Sequence, residues 1–265
     1  MTNISSINRD LIQTARSRTA LGFISYYNMV FSDRGWKFPN HMLPVAKALA
    51  DERIDRLLII LGPGSGKSLA MSVIYPTWAL GIDPTYTIAG VSASEGLVKG
   101  FQRAAMEIVE HSPAYRSVFP KVRPDKDGGW SNERGMFVTG RRPGNPDPSY
   151  AAYGFSSKEL VGKHAKILLL DDLHDRENSA TSGQREKVRD GYFNTLMGRA
   201  DPSGARIIVA GRRWAIDDLY GELIKLGEFV VLQLPAEREG STLLYWDVLV
   251  PEGLECVFTE EAEAA

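Results

Sequence analysis

Short, solid runs of apolar residues alternate along this chain with longer stretches whose apolar positions recur every three or four residues. The runs are RLLIIL (56–61), TYTIAGVS (85–92), KILLLDD (166–172), ARIIVAG (205–211) and FVVLQL (229–234). A strand without polar alternation is buried on both faces, and such strands form parallel sheets covered by helices. A helix is predicted over Ser68–Leu80, which Pro76 should end or kink. Leu97, Phe101, Ala105 and Ile108 mark the inner face of another, reaching about His111. Thr181 and Gln184 form a capping pair ahead of a helix that turns Val188, Tyr192 and Leu196 inward. DDLYGELIKL (217–226) gives one more. The first fifty residues read as helical around an interruption at SDRGWKFPNH (32–41), and 120–150 as loops around a hairpin such as GMFVTG (135–140). The expected class is α/β, with a mainly parallel sheet covered by helices on both faces (56–236). A small helical segment (1–55) precedes it and a linker stub (237–265) follows.

Composition narrows this picture only slightly. Apolar residues make up 43% of the 265, enough for a sizeable core, and no window approaches the roughly 20 uncharged apolar residues of a membrane span. MTNISSINRDLIQTARSR (1–18) lacks the apolar middle of a secretion signal. The single cysteine, Cys256, excludes an internal disulfide framework and suits a reducing cytosol. A net charge of −2 argues against a general nucleic-acid coat, so any DNA contact must come from a local basic patch. The loops near Lys121–Arg123 and Arg141–Arg142 are the candidates.

The first apolar run ends in a glycine-rich turn, Leu61-Gly62-Pro63-Gly64-Ser65-Gly66-Lys67-Ser68. A P-loop is written G-x-x-x-x-G-K-[ST]; here leucine replaces the first glycine, which moves one place on. Gly64 and Gly66 permit positive φ, so consecutive N–H groups, Ser65's among them, turn toward an anion. Lys67 would reach the β- and γ-phosphates of ATP and the Ser68 hydroxyl would ligate Mg²⁺. A second run ends in ILLLDDLHD (167–175). Asp171 at the strand end would hold Mg²⁺ through water, and Asp172, pointing the other way from the pleat, would orient the attacking water. His174 and Asp175 are the spare candidates for that role. The plainer alternatives are a tight strand–helix junction and a capping aspartate. The ATP reading requires the tips of two neighbouring strands to bring the ammonium and both acids together.

In their order and spacing, GPGSGKS, LLLDDLHD and RRWAIDDLYG, with FPNH ahead of them, resemble the large terminase subunit of tailed bacteriophages, from about Trp36 to Ala236. The resemblance implies an ASCE-type P-loop NTPase, the ATPase domain of a motor that packages double-stranded DNA into a procapsid in the host cytoplasm. It also implies a portal protein, a small terminase subunit and a homo-oligomeric ring as partners. It assigns Lys67 and Ser68 to phosphate and Mg²⁺, Asp171 to the metal and Asp172 to catalysis. AGRRW (210–214) falls on the motif that senses the γ-phosphate, with Arg212 where the family usually has a hydroxyl residue and with Arg213 and Trp214 as expected. Trp214 alone after a strand reads equally as packing. The usual arginine-finger position is Val161, so Lys163, Arg141, Arg142, Arg212 and Arg213 are the alternatives. RGWKFPNHM (34–42) matches the adenine-side segment, where Trp36 or Phe38 would stack on the base or fill the core.

The acids beyond Leu234 are too few for the two-metal nuclease site of full-length members, so DNA cleavage is not expected. The rival functions are another nucleic-acid-dependent P-loop ATPase or helicase, and a module that binds ATP without turning it over.

Overall fold

The apolar runs pair as parallel strands. The computed structural model describes residues 9–160, 162–234 and 246–263. In chain order its elements are α1 (Arg9–Ala15), α2 (Ala20–Val30), α3 (Leu43–Ala50), β1 (Arg56–Ile60), α4 (Tyr75–Ile82), β2 (Ile88–Ser92), α5 (Glu95–His111), α6 (Pro113–Val118), β3 (Tyr150–Gly154), β4 (Ile167–Asp171), α7 (Ser182–Gly191), β5 (Arg206–Gly211), α8 (Leu219–Leu226), β6 (Val230–Gln233), β7 (Asp247–Leu249) and α9 (Val257–Glu263). Seven strands form one sheet in the order β3-β2-β4-β5-β1-β6-β7. All neighbours are parallel except β6 and β7.

Alternation along each strand divides the core into two layers. Leu57, Ile59, Ile167, Leu169, Ile208 and Val230 face a layer built by α2, α3, α4, α5 and α6. Leu58, Ile60, Leu168, Leu170, Val209 and Val231 face the other, which α7 and α8 supply through Val188, Leu219, Tyr220 and Leu223. Helices therefore cover both faces. The capping box at Thr181 and Gln184 forms as expected.

Three expectations need correction. Pro76 does not end its helix. A π-helical stretch, Leu69–Ile74, runs directly into α4, with Pro76 in its first turn. Proline has no N–H to donate to the preceding turn, and in that turn the Tyr150 hydroxyl donates to the Ser72 carbonyl at 2.9 Å. On α5 the buried face is Val98, Gln102, Ala105, Met106 and Val109, while Leu97 is 48% exposed. The inner stripe thus lies one column from the predicted one, because Gln102 is buried to bond the backbone of β3 at Ala152. YAAYG (150–154), expected in no element, is the edge strand β3. Of the expected linker, residues 246–263 pack on the rest of the chain. β7 extends the sheet, Cys256 is fully buried, and the Val257 N–H donates to Asp51. The remainder of 237–265 lies outside the described residues.

Arg206 opens β5 and fastens the sheet to α3. Its guanidinium donates to the carbonyls of Ala48, Leu49, Asp51 and Ile54 and to the Tyr75 hydroxyl, at 2.6–3.0 Å. A cation at a helix C-terminus meets both the unpaired last carbonyls and the negative end of the dipole. Arg206→Ala should therefore lower the unfolding free energy by about 3 kcal/mol, measured by denaturant titration, since charged hydrogen bonds contribute more than neutral ones. Arg206→Lys should recover less than half, because one ammonium cannot reproduce the planar fork.

Candidate active site

The turn after β1 and the end of β4 meet at the carboxyl edge of the sheet. Gly64 and Gly66 take φ of +78° and +86°, with open space where a side chain would begin. The N–H groups of Gly64, Ser65 and Gly66 make no hydrogen bond among the described residues. They are unpaired donors on an exposed, glycine-rich turn, the kind of backbone that can hold an anion. Gly62 and Pro63 are exposed on the same turn, and the Ser65 hydroxyl is buried without a partner.

Lys67 is buried, and its ammonium donates to Asp172 Oδ2 at 2.8 Å. The two tips are not neighbours in the sheet, as the sequence suggested; β5 lies between β1 and β4. The lysine side chain bridges that gap. Asp172 is held in the left-handed region at φ +47°, the single non-glycine residue with positive φ among those described. Its N–H donates to the Ala210 carbonyl and its own carbonyl accepts from Ala93, so both neighbouring segments fix the turn. Aspartate tolerates this conformation better than most residues.

Asp171 is 2% exposed. Its Oδ2 accepts from the Ser72 hydroxyl at 3.0 Å, while Oδ1 is buried with no partner. Burial, and then the charge of Asp172, push its carboxyl up to about 6, against the opposing pull of Lys67 and the hydroxyls of Ser68 and Ser72. Among the described residues no cluster of three or more His, Cys, Asp or Glu could hold a metal unaided. An orphaned carboxylate oxygen beside a serine hydroxyl does fit Mg²⁺, which takes one or two carboxylates and completes its shell with water and phosphate. Asp171 and Ser68 are the residues that would hold it.

The spare candidates are structural. His174 is buried and kept neutral by desolvation: Nε2 accepts from the Leu219 N–H at 3.0 Å and Nδ1 faces the Ser179 hydroxyl at 3.1 Å. Asp175 accepts from the Asn178 N–H in a local turn.

The segment after β5 leaves the sheet between the two loops, since the Leu61 N–H donates to Gly211 and the Asp172 N–H to Ala210. Within it, fully buried Asp218 accepts from Arg213 Nε and from the N–H groups of Trp214, Ala215 and Gly221. Arg213 also donates to the carbonyls of Ala215 and Ile216, so its charge is committed to holding this turn. A side chain at Gly221 would begin 2.5 Å from the Arg213 guanidinium, which explains the glycine in DDLYG. Arg212 lies over the half-buried Trp214 ring, 3.9 Å from its centre.

The other expected cations sit elsewhere. Lys163 pairs with Asp147 at 3.2 Å, and Arg141 and Arg142 precede β3, so all three lie at the amino edge of the sheet, opposite Lys67. Thr139 bonds the carbonyls of Lys121 and Arg123, which brings the two basic loops side by side. Val161 lies outside the described residues. Phe38 is 6% exposed and packs edge-on against Phe23 and Tyr27, filling the core; Trp36, 48% exposed, stacks near Arg34. Sequence reasoning missed Ser72, His41 and the hub role of Asp218. A hydroxyl at the fifth position after Lys67 was the visible sign of Ser72.

No family model matches the chain. Among curated proteins it is similar to the large terminase subunit of Enterobacteria phage T3, with 27% identity over 230 residues. The match covers 83% of this chain and 35% of that protein, so the chain spans about a third of its relative's length. Over most of its length the chain is terminase-like in sequence.

Proposed function

We propose that this chain is a P-loop NTPase core of the ASCE type that hydrolyses ATP with Mg²⁺, and that it drives double-stranded DNA as part of a terminase-like packaging motor. The observation that carries this is the meeting of Lys67 with the acid pair beneath a turn of unpaired N–H donors. In the resting arrangement the ammonium of Lys67 occupies the carboxylate of Asp172. Phosphate oxygens in the turn compete for the same ammonium, so substrate binding frees Asp172 to orient water. Mg²⁺, when bound, would supply charge neutralisation for the phosphates. Asp171 and Ser68 would hold that ion, whose charge would offset the burial of the unpartnered Asp171 oxygen.

Arg212, on the segment leaving β5 between the two loops, is the proposed finger within one subunit. Arg142 and Lys163 can reach a γ-phosphate only across a subunit boundary in a ring. The paired basic loops 121–123 and 139–142 are the proposed DNA surface, a contact to phosphates that salt weakens. Portal and small-subunit partners follow from the terminase likeness. The 56–236 core is the proposed catalytic unit. Among the described residues no helix is long and apolar enough to cross a membrane.

Lys67→Ala should weaken binding of ATP at least tenfold, read by calorimetry. Asp172→Asn should leave binding within about threefold and reduce kcat by about 10²-fold or more, the usual reach of a general base. Wild-type turnover in both variants would overturn the assignment.

Asp171 yields a separate expectation. Its folded value, about 6, lies above the unfolded carboxylate range. The stability this group contributes is complete below about pH 4 and is lost as pH rises through about 6. Without metal or nucleotide, Asp171→Asn should be more stable than wild type at pH 8, on the order of 2 to 3 kcal/mol. The difference should shrink at pH 5, as denaturant titrations in a chelator will show, and the variant should lose Mg²⁺-dependent turnover.

A further inference from the structure

The proposed phosphate turn is also held from outside. His41 Nε2 lies 3.0 Å from the carbonyl oxygen of Ser65. A carbonyl only accepts, so the imidazole donates and Nε2 carries the proton. The peptide joining Ser65 to Gly66 is planar and trans, so its C=O and N–H point in opposite directions. A carbonyl drawn to His41 therefore turns the Gly66 N–H to the opposite side of the turn, away from the imidazole. The positive φ of Gly66 lets this peptide rotate at little steric cost, so without an external tether its orientation would be weakly defined.

His41 is itself held on two sides. It sits in the 3₁₀ turn Asn40–Met42, separated by one residue from Phe38, whose ring is packed in the core and whose N–H donates to Asn28 at 2.7 Å. From the other direction, Trp246 Nε1 donates to the His41 carbonyl at 2.9 Å. Trp246 immediately precedes β7, the strand that continues the sheet beyond β6. The chain Trp246–His41–Ser65 thus connects the last strand of the sheet to the turn after β1.

We propose that His41 is a positioning residue for phosphate binding: it fixes the Ser65–Gly66 peptide so that one N–H is aimed at the phosphates before ATP arrives. Trp246 is the second member of the device, setting the position of His41 from the end of the chain that follows β6. This rests on the nucleotide reading of the site and adds a residue that touches neither phosphate nor metal. Pre-organisation of this kind raises affinity by removing an ordering cost, and leaves the chemical step less affected.

The test is titration of each protein with a fluorescent ATP analogue and Mg²⁺, together with kcat, KM and the thermal midpoint. His41→Ala should bind about tenfold more weakly, as for one lost hydrogen bond of this kind, with a smaller change in kcat. His41→Gln, which keeps a donor, should recover to within about threefold of wild type. Trp246→Phe, which keeps an aromatic ring but removes the N–H, should weaken binding about two- to fourfold. If His41→Ala fails to fold, the Gln and Phe variants carry the comparison. Wild-type affinity in His41→Ala, or in Trp246→Phe when the Ala variant is unfolded, would overturn this inference alone. So would a loss that follows the thermal midpoint and that Gln does not recover. Absence of analogue binding by wild type would overturn the nucleotide reading, and this inference with it.

Discussion

One contact, the Lys67 ammonium on Asp172 at 2.8 Å, joins two loops that are 105 residues apart in the chain and separated by a whole strand in the sheet. It forms only if β1, β5 and β4 lie side by side in register and end at the same level. The ladder provides this: Ile60 pairs with Gly211, and Asp171 with Ala210. The apolar runs buried on both faces leave these strands no alternative register, because a one-residue slip would exchange the two core layers. The hydrophobic core and the charged site are in this sense one constraint. A buried lysine requires a partner, and the aspartate in reach is the one that the sheet delivers to the same edge.

The site is held under electrostatic tension. Two carboxylates are adjacent and one of them is buried with an unpaired oxygen, while a single ammonium serves both. Such an arrangement weakens the fold near neutral pH and is retained where a bound cation relieves it. The left-handed turn at Asp172 adds local strain of the kind concentrated at functional sites. Both features suit the ligand proposed above, a metal-bound triphosphate, which brings positive and negative charge together.

Much of the fold was legible because the strands are uninterrupted apolar runs and the helix caps are local signals. RLLII, ILLLD and RIIVAG announce themselves by composition alone, and Thr181 with Gln184 by spacing. What was not legible depends on partners distant in sequence. YAAYG is too rich in alanine and glycine to read as a strand, and becomes one because Gln102 and β2 accept it. Pro76 reads as a breaker, yet it sits in the first turn of α4, next to a π-helical turn whose Ser72 carbonyl is held by Tyr150. In the site, Lys67, Ser68, Asp171 and Asp172 could be named from local pattern. The fate of the arginines could not. Arg213, Arg206 and Arg141 look alike in sequence, yet one holds Asp218, one caps α3 and one lies over Phe137.

Asp218 shows why the motif RRWAIDDLYG is longer than any single function needs. Its carboxylate gathers Arg213 and three backbone N–H groups, and the next residue's N–H donates to His174, three positions after Asp171. The acid-pair loop and the segment after β5 are therefore one hydrogen-bonded body, and α8 starts from it. The contacts link the Asp172 loop through His174 to the first turn of α8, and through Asp218 to Arg213 and Trp214. Satisfied buried networks of this kind rigidify the segment that they hold. That rigidity makes the 211–219 segment suited to transmitting a change at the acid pair to the outer, exposed side of the molecule, where Ile216 is 85% exposed.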